Sequence, residues 1–457
     1  MNILILGAGE VGFNIAQRLA IEGNDVVVVD LDKNCLQRVS DSMDVKTVWG
    51  NAAHPSVLAQ AGAEHMDLLI AATTNDEVNM IACQVAHSLY QVPTKIARVR
   101  EADYVNAASQ LFGRDDLPID HIIFPEQEAA HAIVKRVQIS AAVDAQDFSG
   151  GKVQLIGLRV APKTLLAGLQ FNELQDVLQD IQVYMVAHEH NRRWRVPNGD
   201  DVILAGDSLY AAVEESQVKL LLQKVGSACT DCANKSVMIL GGGNVGYLVA
   251  KELENMNIIP KLIEQNPTRA LWLAENLDKT TVILGSALDR ELLEEENIDR
   301  MDDFLALTND DETNILASLI AKKYKVGHIV TLVNRAIYND LIHEMGLDVT
   351  VSPRLTTVAS ILSHIRKGRV LGTACLGDGS LEVIEAEALE TSAILNAPLI
   401  HLNLPPQTVV GAVVRNDKVI IPNGYTHIQA HDHVLMVTTH ASIPAVEQLF
   451  QVHLEFF

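Results

Sequence analysis

Aromatic residues make up only 4% of this 457-residue chain, and cysteine occurs five times. The cysteines (35, 83, 229, 232 and 375) are odd in number and mostly in apolar contexts, which excludes a disulfide scaffold and predicts a reducing, cytoplasmic compartment. Positive charge is scarce, with 35 Lys+Arg against 58 Asp+Glu and a formal net charge of −23. Duplex binding needs clustered Lys and Arg to neutralise phosphates, so no nucleic-acid partner is expected. No apolar run approaches the roughly 20 residues that cross a bilayer; Leu68-Leu69-Ile70-Ala71-Ala72 is among the longest. No basic stretch followed by a cleavable apolar segment opens the sequence, so no signal peptide is expected. What is present is 48% hydrophobic residues. The length corresponds to about three domains, and a core of that size needs no disulfide or metal staple.

The chain repeats itself. Residues 2–12 read NILILGAGEVG and residues 236–246 read SVMILGGGNVG. Gly7, Gly9 and Gly12 fall on Gly241, Gly243 and Gly246 at an offset of 234, and Asp30 falls on Glu264. Thr74-Asn75-Asp76 falls on Thr308-Asn309-Asp310; after a slip of one residue, Asn79 matches Asn314 and Arg100 matches Arg335. Pro197-Asn198-Gly199 and Asp207 recur as Pro422-Asn423-Gly424 and Asp432 at an offset of 225. Each half therefore holds two units, 1–130 and 140–226, then 234–358 and 370–453, with connectors near Ser149-Gly150-Gly151 and from Gly226 to Asn234. A period above 200 residues is a domain duplication and not a solenoid.

In the larger unit, Asn2–Leu6 reads as a buried parallel strand, Val11, Ile15 and Leu19 as one face of a helix, and Val26–Val29 as the next strand, ending at Asp30. Asp67–Ala72 and Lys95–Val99 continue the alternation, which gives a Rossmann-like, doubly wound parallel sheet in each half. In the smaller unit Val153–Leu158, Gln182–Ala187, Val202–Ile203 and Ser208–Val213 read as strands and Phe171–Leu178 as a short amphipathic helix. That pattern predicts a small α+β domain with an antiparallel sheet. Ala129–Ala145 reads as a crossover helix between the units.

A lone G-x-G-x-x-G is weak evidence. Here both loops, Gly7-Ala8-Gly9-Glu10-Val11-Gly12 and Gly241-Gly242-Gly243-Asn244-Val245-Gly246, follow a strand, open a helix and precede an acid 18 residues on. The first glycine serves the tight turn, the second lets a pyrophosphate approach the backbone, and the third allows close helix packing. The helix N-terminus offers N–H groups and partial positive charge to phosphates. Asp30 suits the ribose hydroxyls and disfavours a 2′-phosphate, so NAD(H) is the expected ligand. The competing reading is a glycine turn that serves packing alone. Thr73-Thr74-Asn75-Asp76 follows a strand at the sheet edge where ligands bind, and equally suits a helix cap. Asn51, in Gly50-Asn51-Ala52, is placed near the adenine side. Arg98 and Arg100, two apart on a predicted strand, share a face and suit phosphates or acidic neighbours. The second half keeps Arg335 but has Val333 where Arg98 would be, so the two sites are expected to differ.

Cys229-Thr230-Asp231-Cys232 lies in the linker between halves with no second CxxC, and reads as two thiols and not a zinc site. His188-Glu189-His190 and His431-Asp432-His433 each put two imidazoles on one strand face. His188 and His190 align with Val413 and Arg415, so no metal is expected. No proton-transfer pairing stands beside either glycine loop, which favours a binding array over an enzyme. A soluble NAD-dependent oxidoreductase is the alternative, and an NAD-sensing scaffold a third reading.

The run ILGAGEVG, the valines before Asp30, Gly50-Asn51-Ala52 and Thr73-Thr74-Asn75-Asp76-Glu77-Val78-Asn79 resemble the regulator-of-potassium-conductance (RCK, or KTN) domain family across essentially the whole chain. The resemblance implies an RCK N-terminal domain and an RCK C-terminal domain in each half. It implies a non-enzymatic protein, peripheral on the cytoplasmic face of the inner membrane, whose subunits form a tetrameric ring. It implies a TrkH- or TrkG-like integral membrane potassium transporter subunit as partner, gated by NAD(H), ATP or ADP. By matching motif it carries nucleotide contacts to Gly7, Gly9, Gly12, Asp30, Thr73, Thr74 and Arg98, and to Gly241, Gly243, Gly246, Glu264 and Thr308.

Overall fold

A run that is apolar at every position has two faces to bury, and a central parallel strand does so. Ile3 and Ile5 enter one core while Leu4 and Leu6 enter another, and Leu68 with Ile70 and Leu69 with Ala71 divide in the same way. The structure, a computed structural model, describes residues 1–113, 116–139, 142–162, 164–191, 193–225, 235–347, 349–365, 370–377 and 379–450. The first sheet contains β1 (Asn2–Leu6), β2 (Asp25–Asp30), β3 (Lys46–Trp49), β4 (Leu68–Ala71), β5 (Thr94–Arg98) and β6 (His121–Ile123). All are parallel, in the order β3-β2-β1-β4-β5-β6. The connecting helices include α1 (Glu10–Ile21), α2 (Lys33–Ser42), α3 (Pro55–Ala61) and α4 (Asp76–Tyr90). Ile15, Ala16 and Leu19 of α1 cover one face, and Met80, Ala82, Cys83 and Ala86 of α4 the other.

The first small domain has β7 (Asp144–Phe148), β8 (Val153–Arg159), β9 (Val183–His190), β10 (Arg193–Arg195) and β11 (Ser208–Glu214). They form an antiparallel sheet ordered β10-β9-β11-β8-β7. Val202–Ile203 is not a strand: Val202 makes one isolated bridge to Gln170. Phe171–Leu178 is not one helix but a 3-10 turn, Phe171–Glu173, followed by Leu174–Val177.

The second half repeats the scheme. β12 (Val237–Leu240), β13 (Lys261–Glu264), β14 (Thr281–Leu284), β15 (Asp303–Ala306), β16 (His328–Leu332) and β17 (Val349–Val351) form a parallel sheet ordered β14-β13-β12-β15-β16-β17. Then come β18 (Val370–Leu376), β19 (Leu381–Glu387), β20 (Val409–Arg415), β21 (Lys418–Ile420) and β22 (His433–Thr439). The order β21-β20-β22-β19 repeats β10-β9-β11-β8.

The connector helices are exchanged. The helix after β6 runs Pro125–Gln138, starting and ending earlier than Ala129–Ala145, and β7 begins at Asp144. Its start carries Pro125, Glu126 and Glu128 and its last turn Lys135 and Arg136, which suits the helix dipole. Yet Ala129, Ala130, Ile133, Val134 and Val137 pack with Val237 and Ile239 of β12 and with Val249 and Leu253. Reciprocally, Val358, Ile361 and Leu362 of the helix Pro353–Ile365 pack with Ile3, Ile5, Ile15 and Leu19. The chain accordingly divides into two compact units. One holds Met1–Pro125, Arg354–Cys375 and Thr439–Leu449, and the other Glu126–Pro353 with Leu376–Thr438.

One buried carboxylate fixes the second nucleotide-type sheet to its helix. Glu254, in the helix Asn244–Asn255, accepts the backbone N–H groups of Asp278 (3.2 Å), Lys279 (2.7 Å) and Thr280 (2.6 Å) and the Thr280 hydroxyl (2.7 Å). Burial pushes its pKa up, but the four donors outweigh this and hold it below the usual carboxylate range. A carboxylate lowered on folding stabilises the fold above its unfolded pKa, about 4.3, and that contribution is lost as pH falls through the folded value. Glu254→Gln, which turns an amide N–H toward those donors, is expected to cost about 1.5–3 kcal/mol at pH 7 and to leave a shallower loss of stability below about pH 4.3. Urea unfolding at pH 7 and in mild acid checks both.

Candidate functional site

The two glycine loops carry the same distinct roles. Gly7 follows β1 with φ +106°, and a Cβ there would lie 2.8 Å from the Ala72 carbonyl oxygen, so both conformation and space require glycine. A Cβ on Gly12, inside α1, would overlap the Gly7 carbonyl. Gly9 is different. It is the N-cap of α1 with no side-chain cap bond, and a Cβ there would meet nothing within 4 Å. Packing leaves an open cradle at Gly9, over the first turn of a helix whose N–H groups suit an anion. Gly241 (φ +96°) and Gly246 repeat the two crowded positions, and a Cβ on Gly243 would meet only the Asn309 side chain, at 3.7 Å. At Gly242, the counterpart of Ala8, a Cβ would overlap Leu273.

Each acid at the end of the second strand ties its loop down. Asp30 accepts the N–H of Ala8 through Oδ2 and that of Asp32 through Oδ1 (2.7 Å). Glu264 accepts the N–H of Gly242 (2.8 Å) and that of Asn266 (2.8 Å). A carboxylate oxygen has lone pairs left after one such bond, so a hydroxyl contact remains within the capacity of both. Trp49 pairs in register with Asp30 and is exposed, with Lys33 Nζ 4.6 Å from its ring centroid. Nothing in the sequence singled out this aromatic. Asn51 is engaged locally, its Oδ1 accepting the Ala53 N–H (2.9 Å).

Ladder registers correct the correspondence between the halves. Val27 pairs with Lys46, and Lys261 with Thr281, so the slip from 234 to 235 lies between the second and third strands. It reverses before the fifth: Leu68 pairs with Thr94, and Asp303 with His328. Thr308 therefore corresponds to Thr73 and not to Thr74. Thr73 donates its N–H (3.0 Å) and hydroxyl (2.6 Å) to Asn79 Oδ1, and Thr308 does the same to Asn314 (2.9 and 2.7 Å). Asn79 Nδ2 reaches the carbonyl of Arg98 (2.9 Å), and Asn314 Nδ2 that of Leu332 (2.9 Å). Leu332, not Val333, thus stands at Arg98's place, and Asn334, not Arg335, at Arg100's. Both arginines are absent from the second site.

Arg98 ends β5, and its Nη1 lies 3.4 Å from the Thr73 carbonyl oxygen. Arg100 lies past the strand end, so the two do not share a strand face; its N–H donates to Asp76 (2.7 Å). Thr74 is exposed on the same loop. Arg335 is held by Glu312 and stacks 4.8 Å from the Tyr338 ring centroid. Glu10, first residue of α1, pairs with Arg38 (2.6 Å) and with Arg354 of the exchanged helix Pro353–Ile365. The Arg38 hydrogen bond is the main cause that holds the Glu10 carboxyl below its usual range. Sequence reasoning missed Arg38 and Arg354, because neither belongs to a motif and Arg354 arrives from the other half. At the second loop Asn244 replaces Glu10, and Val11 and Val245 keep equivalent positions in the two opening turns.

Of the histidine pairs, His188 and His190 both reach Asp207. His431 and His433 contact separate acids, Glu387 (2.9 Å) and Glu385 (3.2 Å). Cys229 and Cys232 lie outside the described residues. No helix among the described residues is long and apolar enough to cross a membrane.

Known proteins share this architecture. The family model described as the TrkA-N domain matches residues 3–125 and 237–353, and that of the TrkA-C domain residues 383–451. A protein named Trk system potassium uptake protein TrkA from Azorhizobium caulinodans is 41% identical over 460 residues, covering 100% of both chains. A Halomonas elongata protein of the same name is 39% identical over 461 residues, again covering 100% of both. Among solved structures, a GsuK channel superposes with a TM-score of 0.61 at 21% identity, over 98% of this chain and 78% of that one. A GsuK RCK domain gives 0.60 at 20% identity, over 98% and 94%. The relatives are named as potassium uptake proteins and not as enzymes. Two matched N-terminal domains, a matched C-terminal domain and full-length relatives together make this chain a member of the TrkA family of Trk potassium uptake proteins.

Proposed function

We propose that the chain is the nucleotide-binding regulatory subunit of a Trk-type potassium uptake system. It assembles as a tetrameric ring on the cytoplasmic face of the inner membrane and gates a TrkH- or TrkG-like translocating subunit. The observation that carries the ligand part is the open space at Gly9, where a Cβ would meet nothing within 4 Å although Gly7 and Gly12 on either side in sequence are crowded. The pyrophosphate of NAD(H), or the phosphates of ATP or ADP, would lie there, with Asp30 toward the ribose and Arg98 and Arg100 toward negative charge. A channel whose structure is described as bound to NAD, GsuK, has the same fold at 20% identity and a TM-score of 0.59.

Gating requires unequal binding to two ring shapes. A tenfold preference supplies about 1.4 kcal/mol per site, and four first-half sites about 5.5 kcal/mol, enough to move an equilibrium from 1:99 to 99:1. The first-half site carries this role, since Leu332 and Asn334 leave the second without either arginine.

NADH and ATP titrations of wild type and Gly9→Ala test the reading. Wild type is expected to bind. The variant should bind at least about tenfold more weakly while losing no more than about 1 kcal/mol of stability, the scale of an N-cap change. Wild type that retains neither nucleotide at millimolar supply, or Gly9→Ala with unchanged affinity, overturns it. Retention of the membrane subunit in a pull-down with and without nucleotide tests the partner.

A further inference from the structure

The two small domains solve one electrostatic problem differently. Asp432 precedes β22 and is buried; it accepts the N–H of Gln429 (2.7 Å) and a two-pronged pair from Arg415, Nε to Oδ1 at 2.8 Å and Nη2 to Oδ2 at 2.7 Å. Asp207 occupies the same place before β11, is buried, and accepts the N–H of Leu204 (2.9 Å). Leu204, His190 and His188 align with Gln429, Arg415 and Val413 at the offset of 225. In place of a fixed guanidinium, Asp207 meets His188 Nε2 at 2.8 Å and His190 Nδ1 at 3.0 Å.

We propose that His188, His190 and Asp207 form a divalent transition-metal site, for zinc in the first place, so that a bound ion in the first small domain does the work of Arg415 in the second. Donor atoms of the three side chains lie within 4.8 Å of one another. Two ligands 2.0–2.2 Å from a tetrahedral zinc stand about 3.3 Å apart, so each imidazole would draw back from the carboxylate by a few tenths of an ångström. Two imidazoles and one carboxylate with an open fourth position suit zinc, whereas calcium and magnesium take oxygen ligands. His188 and His190 are two apart on β9 and share a face. His190 is 33% exposed, which leaves an entry path and room for water as fourth ligand. The Leu204 N–H donates to Asp207 Oδ2, the oxygen that also faces His188, and helps to orient the carboxylate.

His188 is held rigidly. Its side chain is 1% exposed, and its Nδ1 is buried with no hydrogen-bond partner. Burial fixes the ring with Nε2 toward Asp207, so that nitrogen is pre-aimed at the position an ion would take.

The test uses the full chain, stripped with a chelator and titrated with zinc against a chromophoric competitor, then with cobalt to read its visible absorption. Wild type is expected to take one ion per chain at this site, with the bands of a four-coordinate cobalt. His190→Ala should weaken zinc by roughly tenfold to a hundredfold or more, the scale on which even supporting residues act. The double change His188→Val with His190→Arg, which copies the second domain and so keeps a workable pairing with Asp207, should abolish uptake with circular dichroism unchanged. Cys229→Ser with Cys232→Ser should leave that ion in place. Stripped wild type that takes up no zinc, uptake indifferent to both histidine variants, or uptake lost with the cysteines alone overturns the assignment.

Discussion

Asp144→Ala is expected to lower stability by about 3–5 kcal/mol, the cost of leaving a buried cation without its counter-ion. Arg136, near the end of the exchanged helix Pro125–Gln138, reaches Asp144 Oδ1 through Nη2 at 2.6 Å, and both side chains are largely buried. Tyr210 of β11 donates its hydroxyl to Asp144 Oδ2 (2.8 Å), and Gln146 adds a second donor there (2.9 Å). Burial, then the neighbouring Asp144 charge, pushes the Tyr210 hydroxyl well above its ordinary pKa, so it stays a donor. The aspartate thus fastens the crossover helix to the first small domain and engages four donors at once, the fourth being the Ala145 N–H (3.0 Å). Chemical unfolding followed by far-UV circular dichroism reads the loss. Replacing the charges and the buried hydroxyl together, Arg136→Met with Asp144→Leu and Tyr210→Phe, should recover much of it, because the desolvation cost of the pair goes and no buried phenol is left without its acceptor. A loss below about 1 kcal/mol for the single change, the range of an exposed ion pair, would show that water reaches the site.

Gly12→Ala is the second large effect. The added methyl would overlap the backbone carbonyl of Gly7, and backbone on both sides leaves no rotamer to relieve it. A loss of about 3 kcal/mol or more is expected, at the upper end of overpacking costs, with Gly246→Ala behaving alike in the second half. The contrast with Gly9→Ala is the informative part. One glycine is needed by the fold and its neighbour three residues earlier is not, so the first change should unfold and the second should chiefly unload. Thermal melts of the three variants, with and without NADH, separate the two behaviours.

The parts legible in the sequence were those governed by local chemistry. The glycine loops, the acid that ends the second strand, the apolar central strands and the duplication are each written in a short stretch, and the structure carries them. The equivalence of Arg100 with Arg335 failed because two single-residue slips compensate, one after the second strand and one before the fifth. The ladder registers Lys261–Thr281 and Asp303–His328 and the matching bonds of Asn79 and Asn314 expose them. Val202–Ile203 looked like a strand from β-branching alone, but it makes one bridge where a ladder was expected. Arg354 beside Glu10, and the crossover residues Val358 and Ile361 among the residues of β1 and α1, join positions hundreds of residues apart, and no periodicity encodes such contacts. Asp207 is legible in the sequence as part of the duplication; its place between two imidazoles depends on the pairing of β9 with β11.

The exchanged helices also set a schedule for synthesis. Val358, Ile361 and Leu362 leave the ribosome more than 200 residues after the last strand of the sheet they cover. At bacterial elongation speeds of roughly 5–20 residues per second, that face waits on the order of 10–50 s for its lid. Throughout the interval the nascent chain presents Ile3, Ile5, Ile15 and Leu19 without their final cover, a natural landing place for a chaperone at the exit tunnel.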